Sequence, residues 1–275
     1  MMTSDTGTRP LASRDSLPPP LKIGMLLSSS NPMAEPEIQR MLPPDVVVLT
    51  TRLKHAASTP EALIGMTEKI EEGCDLLSDA GVDLIVFNCT AVSTYDPAMG
   101  ARISGRITSA CGRPATTTSD ALLSAFDALA VKKIVLITPY IESVNQREIE
   151  FLAHHGYEVI GQVGLGLLEG KSMASVSPSQ WVELAQTHKH DAADAYFLSC
   201  TAINVTSIIE TLEEVLGRPV VTSNQAMLWH CLRLLGRNEP VPGLGALFRT
   251  PGAAMIPRGS YVTKSPQNHL EEPVK

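Results

Sequence analysis

The sequence is poor in aromatic residues and in positive charge. Phe, Trp and Tyr make up 4% of its 275 residues, and 22 Lys and Arg stand against 29 Asp and Glu, which leaves a net charge of −7. A nucleic-acid-binding surface needs clustered Lys and Arg, so we expect no nucleic-acid partner. No apolar run approaches the roughly 20 residues of a membrane-spanning helix, so we expect no membrane partner either.

The chain also lacks an apolar export signal and cysteines at metal-binding spacing. Residues 1–21 are rich in Ser, Thr, Pro and Arg without a hydrophobic stretch, which predicts a disordered arm and not a signal peptide. Five cysteines without an export signal are typical of reduced thiols in a cytoplasmic protein. There is no CxxC pair and no His/Cys cluster, so we predict no metal site.

What the sequence does contain is a repeat. The apolar runs LIVFNCTAV and AYFLSCTAI both stop at Cys-Thr-Ala, and their cysteines, Cys89 and Cys200, lie 111 residues apart. KIGMLLSSS begins at Lys22 and KIVLITPYI at Lys133, again 111 residues apart. Two segments that begin Gly-Arg-Pro are separated by 105 residues. Three pairs in the same order predict the duplication of one unit.

Each half reads as alternating strands and helices. The strand candidates are apolar nearly throughout, which is typical of parallel strands that are covered on both faces, and helical crossovers then give a doubly wound sheet. We predict an α/β protein of two pseudo-symmetric, doubly wound (flavodoxin-like) lobes with the functional site in the cleft between them. The predicted units are a disordered arm (1–21), a first lobe (22–131), a second lobe (132–236) and a C-terminal segment that packs back and ends in a mobile tail (237–275).

Several helix ends carry sequence signals. Thr59, Pro60 and Glu61 are typical of an N-cap, a first helical position and an acidic first turn, and Gly81 is typical of a stop. The segment SDALLSAFDALA predicts a helix, for which Ser119 is the candidate N-cap.

The two matched cysteines lie where ligands bind in such a fold. Ligand sites in doubly wound sheets lie outside the carboxyl ends of the strands, and both thiols are at strand ends. Two lobes related by a pseudo-twofold axis would turn these ends toward one cleft. Cys89 and Cys200 would then approach a small ligand from opposite sides. A thiol on each face of one carbon atom suits proton exchange, in which one removes a proton and the other delivers one.

The residues around these strand ends fit an anionic ligand. Small hydroxyl and amide side chains dominate, and backbone N–H groups at helix starts attract carboxylates. Few Lys or Arg belong to these loops, so we expect dipoles to hold the carboxylate. The same helix starts are expected to bring the thiol pKa from about 8.5 toward neutrality.

These motifs resemble the aspartate/glutamate/hydantoin racemase superfamily over about residues 22–250. The chain is most similar to maleate cis-trans isomerases in SSSNPMAEPEI and VPGLGALF, and GLGLLEGKSMASV looks more like arylmalonate decarboxylases. TPYIESVNQREIEFLAHHGYEV resembles both groups. The resemblance implies Cys89 and Cys200 as catalytic residues. It implies substrate contacts by a further set: Ser29, Asn31, Thr90, Ala91, Thr118, Tyr140, Thr201 and Ala202.

The resemblance implies cofactor-independent chemistry on a small mono- or dicarboxylate, in a homo-oligomer. Decarboxylases of this type have Gly where Cys89 stands, so two thiols imply an isomerase, either a racemase or a cis-trans isomerase. A decarboxylase that protonates an enediolate through Cys200 is the alternative. The isomerases usually place an Asn near Glu169 or Gly170, and its absence here counts against maleate itself.

Other interpretations stay open. Asn31 either contacts the ligand or caps the helix that follows Pro32. Cys74, Cys111 and Cys231 are expected to be small apolar core residues. A bilobed ligand-binding module without turnover would need no matched thiols. A dinucleotide-dependent enzyme is weakly indicated by GLGLLEG, because the spacing to a third Gly fails.

Overall fold

A computed structural model describes residues 19–55 and 57–251 of the chain. The predicted arm up to residue 18 and the predicted tail beyond residue 251 lie outside the described residues. Leu21, which the prediction assigned to the arm, is the first residue of a strand.

The first lobe alternates strands and helices. Its elements are β1 (Leu21–Ser28), α1 (Ala34–Met41), β2 (Val46–Leu53), α2 (Pro60–Gly65), α3 (Ile70–Asp79), β3 (Leu84–Asn88), α4 (Thr90–Ser93), α5 (Met99–Cys111), β4 (Ala115–Thr117) and α6 (Thr118–Ala128). A 3₁₀ segment joins α2 to α3. The single helix predicted from Thr59 to Ala80 is therefore a chain of three helical pieces.

The second lobe repeats this pattern, but it has no counterpart of α4 and ends in one further helix. Its elements are β5 (Lys133–Tyr140), α7 (Glu142–His154), β6 (Glu158–Leu167), α8 (Gly170–Ala174), α9 (Pro178–Thr187), β7 (Ala195–Leu198), α10 (Ile209–Leu216), β8 (Val220–Thr222), α11 (Ser223–Leu234) and α12 (Gly245–Arg249). None of the helices between residues 19 and 251 is both long enough and apolar enough to cross a bilayer.

The two sheets have the same topology. Their strand orders are β2-β1-β3-β4 and β6-β5-β7-β8, and every neighbouring pair is parallel. Even the register is kept: Ile23 pairs with Leu84, and the residues 111 positions later, Ile134 and Ala195, pair with each other. The predicted α/β fold with two duplicated lobes is confirmed.

Burial explains why the strand sequences are apolar throughout. The central strands β3 and β7 are buried at every position, whereas the edge strands β2 and β6 are partly exposed along most of their length. Helices α6 and α11 pack against each other across the lobes. Phe126 of α6 and Trp229 of α11 belong to one buried apolar cluster that draws on both sheets, so the lobes share a continuous core.

Helix α6 begins earlier than the sequence signals suggest. Thr117 is its N-cap and not Ser119: Thr117 Oγ1 accepts from the N–H of Asp120 at 3.2 Å, and the Asp120 carboxylate accepts from the N–H of Thr117 at 3.0 Å. Thr222 and Gln225 form the same reciprocal cap at the start of α11. This pair lies 105 residues later, so the repeat extends to the caps.

Candidate active site

The carboxyl ends of the strands of both lobes face one small pocket. Its free volume is about 30 Å³, so only a small group fits unless side chains move. The described lining residues are Ser28, Ser30, Asn31, His55, Ser58, Cys89, Ala91, Tyr140, Gly170, Met173, Cys200, Thr201 and Ala202. Both cysteines of the repeat belong to this pocket.

Cys89 lies between β3 and α4. Its backbone is extended, with φ −152°, and it is the N-cap residue of α4. The side chain is buried, and burial raises the pKa of its thiol to about 11, although the backbone of Val92 opposes the shift. The thiol is therefore protonated at neutral pH.

Cys200 follows β7 in a strained conformation. Its φ of +131° lies in a region that favours glycine. The sulfur accepts from the N–H of Ala202 at 3.2 Å, and the hydroxyl of Tyr140 donates to it. Burial nevertheless raises the pKa of Cys200 to about 12, and the neighbouring Cys89 and Glu148 act in the same direction.

The expectation that helix starts acidify the two thiols is therefore wrong. A helix dipole stabilises a thiolate, but desolvation in a closed pocket destabilises it more strongly. Burial is the largest influence on both thiols, and the backbone donors offset only part of it.

Hydrogen bonds between the lobes hold the two cysteine loops together. Thr90 Oγ1 donates to Ser223 Oγ at 2.8 Å, and Ser223 Oγ accepts from the backbone N–H of Cys200 at 3.0 Å. Asn31 Nδ2 donates to Thr201 Oγ1 at 2.9 Å. The spacing of the two thiols thus depends on contacts made by both lobes.

The predicted substrate-binding residues fall into two groups. Five line the pocket: Asn31, Ala91, Tyr140, Thr201 and Ala202. Three do not line it: Ser29, Thr90 and Thr118. Ser29 is exposed and bonds to the backbone of His55, while Thr90 and Thr118 are fully buried and bond to Ser223 and to Asn88. These three side chains support the site from outside the pocket.

Asn31 supports the start of a helix and also lines the pocket. Its side-chain oxygen accepts from the N–H groups of Met33 and Ala34, each at 2.9 Å, and so supports the start of α1. Its amide nitrogen faces the second lobe in the pocket wall. The side chain is therefore held rigidly where a ligand would meet it.

Sequence reasoning missed four lining residues: His55, Ser58, Gly170 and Met173. Ser28 and Ser30, which also line the pocket, lie in the strand-end loop at residues 28–31 that the sequence already placed at the site. His55 lies just beyond the end of β2, so the rule that ligands bind at strand ends already pointed to its position. Only glycine fits at position 170 without a shift of the backbone, because a Cβ atom there would lie 2.8 Å from the carbonyl oxygen of Ser30. The close approach of these two loops closes one side of the pocket.

The electrostatics of the pocket come from dipoles. The described lining contains no Lys or Arg. Arg52 lies behind the loop at residues 28–31 and donates to the backbone oxygen of Asn31 at 2.9 Å. The segment GLGLLEG lies at the end of edge strand β6 and not at a strand-to-helix turn of the kind that binds dinucleotides.

The chain is similar to known proteins along most of its length. A family model described as arylmalonate decarboxylase matches residues 23–248. Arylmalonate decarboxylase from Bordetella bronchiseptica is 31% identical over 231 residues, covering 82% of this chain and 95% of that protein. Maleate isomerase from Geobacillus stearothermophilus is 27% identical over 242 residues, covering 82% and 96%.

A solved structure agrees with the fold. Maleate isomerase from Pseudomonas putida S16, solved with maleate, superposes with a TM-score of 0.81 at 22% identity, covering 84% of this chain and 98% of that one. Together these likenesses confirm the relationship predicted from the paired Cys-Thr-Ala motifs, and with it the prediction of an enzyme.

Proposed function

The chain belongs to the arylmalonate decarboxylase family, and we propose that it is a cofactor-independent isomerase of a small carboxylic acid that uses both Cys89 and Cys200. One observation carries the proposal: the two sulfur-bearing side chains come from different lobes and line the same small pocket. A decarboxylase that protonates a planar intermediate needs one proton donor. A second thiol in the same pocket fits a reaction that works on the substrate from two sides.

The substrate carboxylate would be held without a cation. Tyr140 keeps its single hydroxyl proton, because burial raises its pKa well above the usual range, and it donates to Cys200. The donors to the carboxylate are therefore the hydroxyl group of Thr201 and the amide group of Asn31, both at the pocket wall. Donors of this kind are suited to stabilise the charge that builds up on the carboxylate as an enediolate forms.

Two chemical routes fit this geometry. In a racemisation, one cysteine as thiolate takes the proton from the carbon next to the carboxylate, and the other as thiol delivers a proton to the opposite face. In a cis-trans isomerisation, the Cys89 thiolate adds to one alkene carbon and the Cys200 thiol protonates the other. After rotation about the former double bond, the Cys200 thiolate takes a proton back from that carbon, the C–S bond breaks, and the other isomer leaves with Cys89 again a thiolate. Neither route changes the oxidation state or needs an added group.

Both routes need one thiolate, whereas burial keeps both thiols protonated at neutral pH. The N–H of Ala202 and the hydroxyl of Tyr140 favour the thiolate at Cys200, and the backbone of Val92 favours it at Cys89. One proton must leave before the chemistry begins.

A substrate screen in heavy water, followed by proton NMR, tests the proposal. Maleate, aspartate, hydantoins and substituted malonates are each incubated with the enzyme. The expected result is interconversion of isomers, with deuterium appearing at the reacting carbon and no loss of CO₂. The proposal fails if a malonate loses CO₂ while no substrate isomerises.

Decarboxylation is the second candidate, because both the family model and the 31% identical relative carry that name. In this reaction Cys200 would protonate the enediolate that forms when CO₂ leaves. The variant Cys89→Gly separates the two candidates, since it keeps Cys200. It should lose isomerase activity, whereas a decarboxylase should keep its turnover of malonates.

A further inference from the structure

His55 lines the pocket and has a buried ring nitrogen without a hydrogen-bond partner among the described residues. The side chain is 9% exposed and lines the pocket together with both cysteines. Its Nδ1 bonds to Ser28 Oγ at 2.8 Å. Its Nε2, on the opposite edge of the ring, is buried and has no hydrogen-bond partner among the described residues. A buried polar atom without a partner costs stability, and a ligand that bonds to Nε2 would remove this cost.

The surroundings of His55 are polar but uncharged. Ser28 Oγ lies 3.1 Å from Ser30 Oγ, and both residues line the pocket, as does Ser58. An imidazole and three hydroxyl groups therefore form one side of the pocket. Such a wall is poorly suited to an aryl or alkyl group, because apolar atoms would leave these donors and acceptors without partners.

We propose that His55 Nε2 binds an oxygen of a second polar substituent of the substrate, a carboxylate or carboxamide, and so selects against substrates with an aryl or alkyl group at that position. The inference rests on the proposed function, since it assumes that a first carboxylate is bound beside the two cysteines. The small free volume of the pocket, about 30 Å³, is consistent with a compact substituent.

The protonation of His55 fits this role. Burial lowers the pKa of the imidazole, although the backbone of Ala57 opposes the shift, so the ring is neutral at pH 7. A neutral ring has one N–H. Ser28 Oγ can donate to Nδ1, which places the proton on Nε2, and an oxygen ligand favours that tautomer. The contact is then a neutral hydrogen bond and not an ion pair.

Binding of two unreactive acids tests the inference. Succinate and butyrate differ in one carboxylate, and their dissociation constants follow from the concentration that half-protects Cys89 and Cys200 against iodoacetamide. The wild type should bind succinate roughly 10- to 100-fold more tightly than butyrate, as expected for a buried donor that gains a partner. His55→Leu should abolish this preference by weakening succinate alone.

Two further variants make the result specific. His55→Gln keeps an N–H donor near the position of Nε2 and should restore part of the preference for succinate. His154→Leu changes an exposed histidine at the end of α7 and should leave the preference unchanged.

The outcomes separate the inference from the proposed function. Equal binding of succinate and butyrate by the wild type overturns the role of His55, whether or not any variant folds. A full preference that persists in folded His55→Leu overturns it as well, while leaving the isomerase proposal intact. If no carboxylate protects either thiol, the proposed function itself fails and the inference fails with it.

Discussion

Cys89 and Cys200 end equivalent strands of the two lobes, yet their backbones differ. Cys89 is extended, with φ −152°, and leads into the regular turn of α4. Cys200 has φ +131°, and the residues after it form a turn before a short 3₁₀ segment. Strained backbone of this kind occurs mainly where function holds it in place. The duplication therefore kept the topology of the lobes, while the two cysteines became different, which indicates that they have different roles.

A pair of buried glutamates differs in a similar way. Glu37 and Glu148 lie 111 residues apart, on α1 and α7. Glu37 reaches into the second lobe and accepts from the N–H groups of Val205 and Thr206 at 2.9 and 2.7 Å. Glu148 accepts from Ser199 Oγ at 2.7 Å, and its other oxygen has no partner among the described residues. Burial raises the pKa of Glu148 to about 8, so its carboxyl group is neutral at pH 7. Glu148 therefore differs from Glu37, whose side chain has two N–H partners.

The largest expected effect comes from removing either thiol. Cys89→Ala and Cys200→Ala should each lower kcat/KM by about 10²- to 10⁴-fold, because each removes a nucleophile or a proton-transfer group. The measurement is turnover of the substrate identified by NMR, with circular dichroism as the check on folding. Cys111→Ala, which changes a half-buried cysteine on α5, serves as the control and should retain activity. If one of the two variants kept near-wild-type turnover, only the other cysteine would take part in the reaction, and the two-thiol proposal would be wrong.

The pH dependence of the rate tests the protonation state of both thiols. With pKa values raised to about 11 and about 12, the thiolate fraction is small at neutral pH. We expect kcat/KM, which reports the free enzyme, to rise roughly tenfold per pH unit between about pH 7 and pH 9. Tyr140→Phe should raise the pKa of Cys200 further and leave Cys89 nearly unaffected. A profile that is flat over this range would show that the thiols are already ionised.

The two glutamates should respond differently to neutralisation. A carboxyl group with a raised pKa in the folded state stabilises the protein fully below its unfolded value of 4.5, and this contribution is lost as the pH rises toward 8. Over this range the contribution of the group to the free energy of unfolding falls by roughly 1.4 kcal/mol per pH unit. Glu148→Gln should remove that slope from the free energy of unfolding, measured in urea at pH 5, 6.5 and 8.

Glu37→Gln provides the matched comparison for this measurement. It should lower the free energy of unfolding by about 1–2 kcal/mol, because a charged acceptor of two N–H groups is lost. If wild-type protein and Glu148→Gln show parallel pH profiles of stability, the carboxyl group behind Cys200 is not protonated as described.

The last comparison concerns the backbones of the two cysteines. Cys200→Gly should be more stable than Cys200→Ala by about 1–3 kcal/mol, since glycine adopts a positive φ without strain. Cys89→Gly and Cys89→Ala should differ by less than about 1 kcal/mol, because the extended backbone there is available to any residue. Thermal unfolding of the four variants gives both differences. An equal glycine effect at the two positions would contradict the asymmetry.

Repetition in the sequence explains which features could be predicted. The apolar runs and the Cys-Thr-Ala motifs occur twice, so the sheets, their order and the paired thiols followed from pattern alone. His55 has no such counterpart, since the position 111 residues later is Gly166. A repeat reveals only what both halves retain, and so this lining residue was missed.

Other features depended on packing that a local pattern does not contain. Thr90 and Thr118 belong to the correct loops, but their hydroxyl groups face the interior and bond to Ser223 and Asn88. The raised thiol pKa values arise because the two lobes together exclude water from the pocket. No segment of one lobe carries that information.

Labelling with iodoacetate tests most directly whether the two sulfurs share one substrate site. The reagent is applied near pH 9 to the Cys111→Ala protein, in which Cys74 and Cys231 are fully buried and do not line the pocket that holds Cys89 and Cys200. Mass spectrometry should find one carboxymethyl group per chain, on Cys89 in some chains and on Cys200 in others, with activity lost in proportion. Chains that carry the label on both cysteines, or labelled chains that remain active, would contradict a shared site.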